Sequence, residues 1–220
     1  MDYAEARRRM VDGQIKPNRV TDPRIFRAMQ EVPRELFVPA NLRSRALADE
    51  DLALGGGRVL LQPMVIARLI QTAAPRTAER VLVAASGTGY GAALLGHMGC
   101  QVVAVEDDPA LLAIAGPALA SAGLPPGAVR QQQGNPAAGF PEAAPYDLIV
   151  VEGAIPAVPP ALAEQLSEGG RIVAIRLTPG KAGAAILGRR VAGQLSTVEV
   201  FDVRGTLLPA FAPKPHFQFV

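Results

Sequence analysis

The chain has 220 residues, 49% of them hydrophobic, with 22 Lys+Arg against 20 Asp+Glu and a net charge of +2. That content can bury the core of a single domain, and the near-balance of charge argues against an electrostatically driven nucleic-acid binder. One cysteine, Cys100, and two histidines, His97 and His216, allow no internal disulfide and show no metal-ligand spacing, so no metal is expected and a reducing compartment suits the chain.

The N-terminus "MDYAEARRRM" has no apolar signal core, and no apolar run reaches the roughly 18 residues of a membrane span. The expectation is a soluble, cytoplasmic protein with no membrane partner. From Met1 to about Arg45 the pattern is helical, with Tyr3, Ala6, Met10 and Val11 recurring on one face. In "TDPRIFRAMQ", Asp22 is placed to cap a helix that Pro23 begins; Ile25, Phe26 and Met29 form its buried stripe and Pro33 stops it. "ARRRM" reads as a solvated helix face and carries no chemistry. "GGGRVLLQP", Gly55 to Pro63, reads as a glycine-rich loop closing over a ligand.

From Glu79 onward strands and helices alternate. "RVLVAAS", helix "YGAALLGHMG" and "QVVAVEDD" make a βαβ unit. There follow helix "PALLAIAGPALASAG", kinked or broken at Pro117, strand "AVRQQQ", strand "YDLIVVEGA", helix "PALAEQLSEGG" and strand "RIVAIR". Strands with both faces apolar, alternating with helices, predict an α/β doubly wound, mostly parallel sheet with helices on both faces. "AAILGRRV", "STVEVFDV" and "HFQFV" read as antiparallel strands at its edge.

In such a sheet, ligands lie outside the carboxyl ends of the strands. The first such loop is "ASGTGYGAA", where Gly87 and Gly89 permit a tight turn and the next helix aims free N–H groups at the same point. About twenty residues on, Glu106 ends the second strand, where an acid can accept both hydroxyls of a ribose. Glu106, Asp107 and Asp108 can also cap the helix begun by Pro109. The pairing of glycine loop and acid points to a nucleoside cofactor. "GTGYGA" also satisfies G-x-G-x-x-A, the dinucleotide pattern, which keeps an NAD-linked dehydrogenase as an alternative; neither His97 nor His216 is an obvious proton donor for it.

The order of elements, with "LQPMVIARLIQ" before the first strand, "GN" after the third, "YDLIVVEGA" as the fourth and "LSEGGRIVAI" leading into the fifth, resembles the S-adenosylmethionine-dependent methyltransferases. More narrowly, "DPRIFRAMQEVPRELFVP", "ALGGGRVLLQP", "VLVAASGTGYGAALL" and "YDLIVVEGAIPAVPPALAEQLSEGGRIV" resemble the protein-L-isoaspartate O-methyltransferases over nearly the whole chain, most specifically at Val32 to Pro39. The resemblance implies a Rossmann-like methyltransferase fold as one domain over residues 1–220. Within it, 1–75 would be a helical N-terminal segment with a substrate-side loop, 79–176 the cofactor-binding core and 177–220 the C-terminal strands. It implies methyl transfer from S-adenosyl-L-methionine to the carboxylate of an isomerised aspartate in a damaged protein or peptide. The cofactor contacts it implies are Ala85, Ser86, Gly87, Thr88, Gly89, Glu106, Asp107, Gly134, Asn135 and Glu152.

The sequence also departs from that family. An acid and then a glycine are usual around the end of the first strand; Val83 and Ala85 stand there, and Asn135 replaces the acid that commonly follows the third strand. The loop that usually reads Thr-Ile-Ser-Gln-Pro is Val59, Leu60, Leu61, Gln62, Pro63, so Leu61 takes the place of the serine associated with activity. The catalytic residues are therefore unassigned, with Arg58, Leu61 and Gln62 as the loop candidates. Arg58 could grip a carboxylate in bidentate fashion or could be a solvated loop charge. These departures leave open a second reading, a cofactor-binding relative with a different substrate or little turnover.

Overall fold

The computed structural model describes residues 2–178, 180 and 182–213. His216 and the "HFQFV" strand expectation lie outside the described residues. Helix α1 (Tyr3–Met10), capped by the Asp2 carboxylate, continues into a single π-helical segment, Val11–Ile15. Helix α2 (Pro23–Glu31) starts as read, with the Asp22 side chain accepting from the Arg24 N–H. The triple arginine is not one solvated face: Arg8 and Arg9 pair with Glu5 at the surface, whereas Arg7 turns inward to Glu35 and to the Gln30 carbonyl at 2.8 Å. Beyond Val32 the helical expectation gives way to short 3₁₀ turns at Arg34–Leu36 and Ala40–Arg45, because Pro33 and Pro39 each withdraw an amide and bias the residue before them to extended backbone.

The stretch read as a loop is a β-hairpin. Strands β1 (Leu52–Gly55) and β2 (Arg58–Leu60) pair antiparallel and form a two-stranded sheet of their own. Gly55, Gly56 and Gly57 all have positive φ, a backbone path that residues with a side chain rarely take. Helix α3 (Pro63–Ala73) follows directly.

The remaining elements alternate: β3 (Arg80–Ala84), α4 (Tyr90–His97), β4 (Gln101–Glu106), α5 (Pro109–Ala120), β5 (Val129–Gln133), β6 (Tyr146–Ile155), α6 (Pro160–Glu164), β7 (Leu166–Arg176), β8 (Ala184–Val191) and β9 (Gln194–Asp202). They build one seven-stranded sheet in the order β5-β4-β3-β6-β7-β8-β9. Neighbours from β5 to β7 run parallel, and β8 and β9 add antiparallel at the edge. Strand order reverses between β3 and β6, so the crevice expected to hold a ligand opens at their carboxyl ends.

Two expected elements differ. Helix α5 runs unbroken through Pro117. The proline sits in the last turn, where losing one amide affects a single hydrogen bond. Helix α6 spans five residues rather than the whole of "PALAEQLSEGG", and β7 begins at Leu166. The two glycines of Ser-Glu-Gly-Gly each weaken a helix by about 1 kcal/mol, and Gly169 takes a positive φ in an irregularity between the pairs Tyr146↔Leu166 and Leu148↔Arg171.

The sheet buries an apolar face on each side. On one, Val83, Leu148 and Val150 pack with α3 and with Met10, Ile15, Ile25 and Met29, so the N-terminal segment shares the sheet's core. On the other, Leu82, Ile149, Val151 and Ile172 pack beneath Leu162 and Phe211.

Candidate cofactor site and active site

The turn after β3 is built from left-handed residues. Ala85, Gly87 and Gly89 have φ of 57°, 56° and 88°, and α4 starts at Tyr90. Ala85 holds this conformation without the glycine that would relieve it, which is a strained position for a residue with a Cβ. The Ser86 amide donates to the Val105 carbonyl at 3.0 Å, and the Thr88 hydroxyl donates to the Phe37 carbonyl at 2.5 Å. The turn is thereby tied both to β4 and to the N-terminal segment. The Ser86 hydroxyl is buried and unpartnered among the described residues.

Glu106 ends β4 fully buried and faces this turn. Its Oε2 accepts from the Gly87 amide at 2.6 Å, and its Oε1 accepts from the amides of Asp107 and Asp108 at 3.0 and 3.1 Å. The remaining donors come from Arg58. Nη1 reaches Oε1 at 2.5 Å and Nη2 reaches Oε2 at 2.7 Å, while Nη2 also donates to the Ala85 carbonyl at 2.9 Å. Arg58 is therefore no solvated loop charge: it is 6% exposed, and its bidentate grip falls on an internal carboxylate. Burial pushes the Glu106 carboxyl up, and the guanidinium offsets only part of that rise. Asp107 lies 3.4 Å from the same Nη1 with its side chain largely in solvent.

Glu152 sits on β6, two residues beyond Val150, whose partner in β3 is Val83. It therefore lies on the sheet face of Val83 but one pleat nearer the crevice. Its carboxyl fills the space over Gly91, where a Cβ would meet Oε1 at 2.0 Å, and Oε1 has no hydrogen-bond partner among the described residues. Burial pushes its pKa up to about 8, so it carries a proton at neutral pH. Gly134 and Asn135 follow β5; the Gly134 amide donates to the Glu106 carbonyl at 3.0 Å, and the Asn135 side-chain oxygen accepts from the Ala137 amide at 3.0 Å.

The other loop candidates are placed differently. Leu61 is buried in the main core and lends only its carbonyl, which accepts from Arg34 Nη2 at 2.7 Å. The Gln62 amide donates to Asp51 at 2.8 Å at the start of α3. Arg34, which sequence reasoning passed over, is fully buried: its Nε donates to the Ala46 carbonyl at 2.7 Å and its guanidinium lies 4.7 Å over the Tyr90 ring. The signal was an arginine inside the apolar string Val32 to Pro39.

Comparison with known proteins places this architecture. The family model described as protein-L-isoaspartate(D-aspartate) O-methyltransferase (PCMT) matches residues 5–186. A protein-L-isoaspartate O-methyltransferase of Methylorubrum populi is 43% identical over 185 residues, covering 84% of this chain and 86% of that protein. One from Koribacter versatilis is 37% identical over 202 residues, covering 92% and 90%. A solved protein-L-isoaspartate O-methyltransferase superposes with a TM-score of 0.78 at 27% identity, over 91% of this chain and 65% of that longer one. A Plasmodium falciparum protein described as a PCMT, solved with S-adenosyl-L-homocysteine, has the same fold, with a TM-score of 0.78 at 16% identity over 93% of this chain and 98% of that one. The chain belongs to the protein-L-isoaspartate(D-aspartate) O-methyltransferase family.

Proposed function

We propose that the chain is an S-adenosylmethionine-dependent carboxyl O-methyltransferase acting on isoaspartyl residues of damaged proteins or peptides. The observation that carries this reading is the meeting of the Ser86–Gly89 turn with Glu106 at the β3/β6 switch point, in a chain of this family. The proposed cofactor contacts are Ala85 to Gly89, Glu106, Asp107, Gly134, Asn135 and Glu152. A cytoplasmic setting belongs to the same proposal. It is supported by a single, buried cysteine, and among the described residues no helix is long and apolar enough to cross a membrane.

The scaffold suits a nucleoside, with a glycine turn, the amino end of α4 and an acid at the end of β4. The acid itself does not fit one as arranged, because both oxygens of Glu106 are taken by Arg58 and three backbone amides.

The cofactor supplies an activated methyl group when bound. The nucleophile is a carboxylate already ionised at neutral pH, so the protein needs no general base to create it. The work left to the chain is to orient that carboxylate and exclude water, and orientation contributes roughly 7 to 11 kcal/mol in favourable cases. Leu61, being in the core, supplies no hydroxyl for that purpose. The test is methyl transfer to an isoaspartyl peptide beside its aspartyl twin. Transfer to the isoaspartyl peptide alone is expected; equal transfer to both, or none to either, overturns the assignment.

A further inference from the structure

The hairpin β1–β2 stands apart from the main sheet and is held by three pairings, Leu52↔Leu60, Ala53↔Val59 and Gly55↔Arg58. A hairpin of that size is marginally stable alone, so what it docks against determines its position. Its turn leans on the site: a Cβ on Gly56 would lie 3.5 Å from Asp108 Oδ2, and one on Gly57 would lie 3.2 Å from Pro209. Leu54 covers Gly87 in the same way. Its one charged side chain, Arg58, passes inward and takes up both oxygens of Glu106.

The cavity left between Gly56, Arg58, Asp107, Asp108 and Pro209 is about 200 Å³. Small-molecule sites usually offer about 300 to 1,000 Å³. A ribose reaching Glu106 with its two hydroxyls would need the positions that the guanidinium holds. A carboxylate has about four lone-pair sites, and this one already faces five donors.

We propose that Arg58 is a built-in competitor for the ribose-binding carboxylate, so that the hairpin latches the cofactor site and S-adenosylmethionine enters only when the hairpin lifts. The inference rests on the cofactor reading above. Lifting of the tip, Leu54 to Arg58, breaks the ion pair and the tip's contacts while Leu52 and Leu60 stay in the core, and it leaves the three amides on Glu106, so the acid stays in place for the incoming diol. Arg58 thus sets the cofactor affinity without touching the methyl group or the substrate. Ligand affinity is reduced by the fraction of molecules that are open, and removing the competitor restores it.

The experiment measures S-adenosylhomocysteine binding by calorimetry to the parent, Arg58→Ala and Gly57→Ala, each first checked for a cooperative unfolding transition. Gly57→Ala keeps both charges and loosens the latch from outside, since its positive φ and the Pro209 contact both resist a side chain. It reports on the latch even where Arg58→Ala fails to fold. Both variants are expected to bind at least tenfold tighter than the parent. Hydrogen exchange supplies the second readout: the amides of the tip, Leu54 to Arg58, in the parent are expected to exchange faster with the ligand than without it, the reverse of ordinary protection. Parent and variants binding within threefold of one another, or a hairpin protected by ligand, overturns the latch and leaves the cofactor reading standing. No binding by any of the three at millimolar ligand overturns both.

Discussion

Two buried carboxyl groups flank β3, and the protein treats them in opposite ways. Glu106, at the end of β4, meets a guanidinium and three backbone amides. Glu152, on β6, has an oxygen with no partner among the described residues and stays protonated up to about pH 8. Burial is nearly the same, so burial does not decide the charge. The donors do: an anion surrounded by charge-assisted hydrogen bonds persists in a dry site, whereas one without them takes up a proton.

The sharpest way to break this comparison is to make the same isosteric change at both sites. Glu106→Gln removes the charge that Arg58 was buried to meet and sets an amide NH₂ against donors. Breaking a buried pair by neutralising one partner costs about 3 to 5 kcal/mol. Glu152→Gln replaces an acid that must hold its proton when folded by an amide that gains nothing from ionising on unfolding, so at pH 7 it is expected to cost nothing or to stabilise. Urea unfolding of the two variants at pH 7 measures both. Equal losses would mean that the two carboxyls carry the same charge.

A smaller effect separates them by pH. An unfolded Glu152 ionises near 4.5, while the folded one holds its proton to about 8. Between those values the native state binds more protons than the unfolded state, so stability falls as the pH rises. This contribution is fully present below about 4.5 and is lost as the pH climbs through 8, at up to about 1.4 kcal/mol per pH unit. Unfolding free energies at pH 6, 7 and 8 should decline in the parent and stay flatter in Glu152→Gln. Parallel profiles for the two proteins would show that Glu152 is ionised when folded.

Which parts of this were legible in the sequence follows from distance along the chain. The glycine turn and Glu106 are local signals, each set by its own strand end, and they meet as read. The parallel sheet was legible because both-face-apolar runs such as Val81 to Ala85 have few other destinations. Arg58 was noticed, but its partner lies 48 residues away, and three adjacent glycines hid the strands of the hairpin. The surroundings of Glu152 depend on the β3/β6 register, and those of Arg34 on how 3₁₀ turns pack over α4; neither is a periodic feature. Leu61 was read as standing where a loop serine is usual, yet it lies between β2 and α3 with its side chain buried in the core.

The smallest expected effect concerns a third carboxylate on the same guanidinium. Asp107 Oδ1 stands 3.4 Å from Arg58 Nη1, against 2.5 Å for Glu106, and its side chain is 45% exposed where Glu106 is buried. Water screens Asp107 and it is free to move, so the pair contributes little: exposed ion pairs are worth about 0 to 1 kcal/mol and weaken further with salt. Asp107→Asn should therefore lower stability by no more than about 0.5 kcal/mol at low ionic strength, and by less at 0.5 M salt, where the Debye length falls to about 4 Å and becomes comparable to the separation. Glu106→Gln should keep its full cost under the same salt, because solvent ions do not reach that pair. Denaturant midpoints for both variants at the two salt concentrations test the contrast. A loss at Asp107 approaching that at Glu106 and insensitive to salt would mean that the guanidinium is shared equally between an exposed and a buried acid.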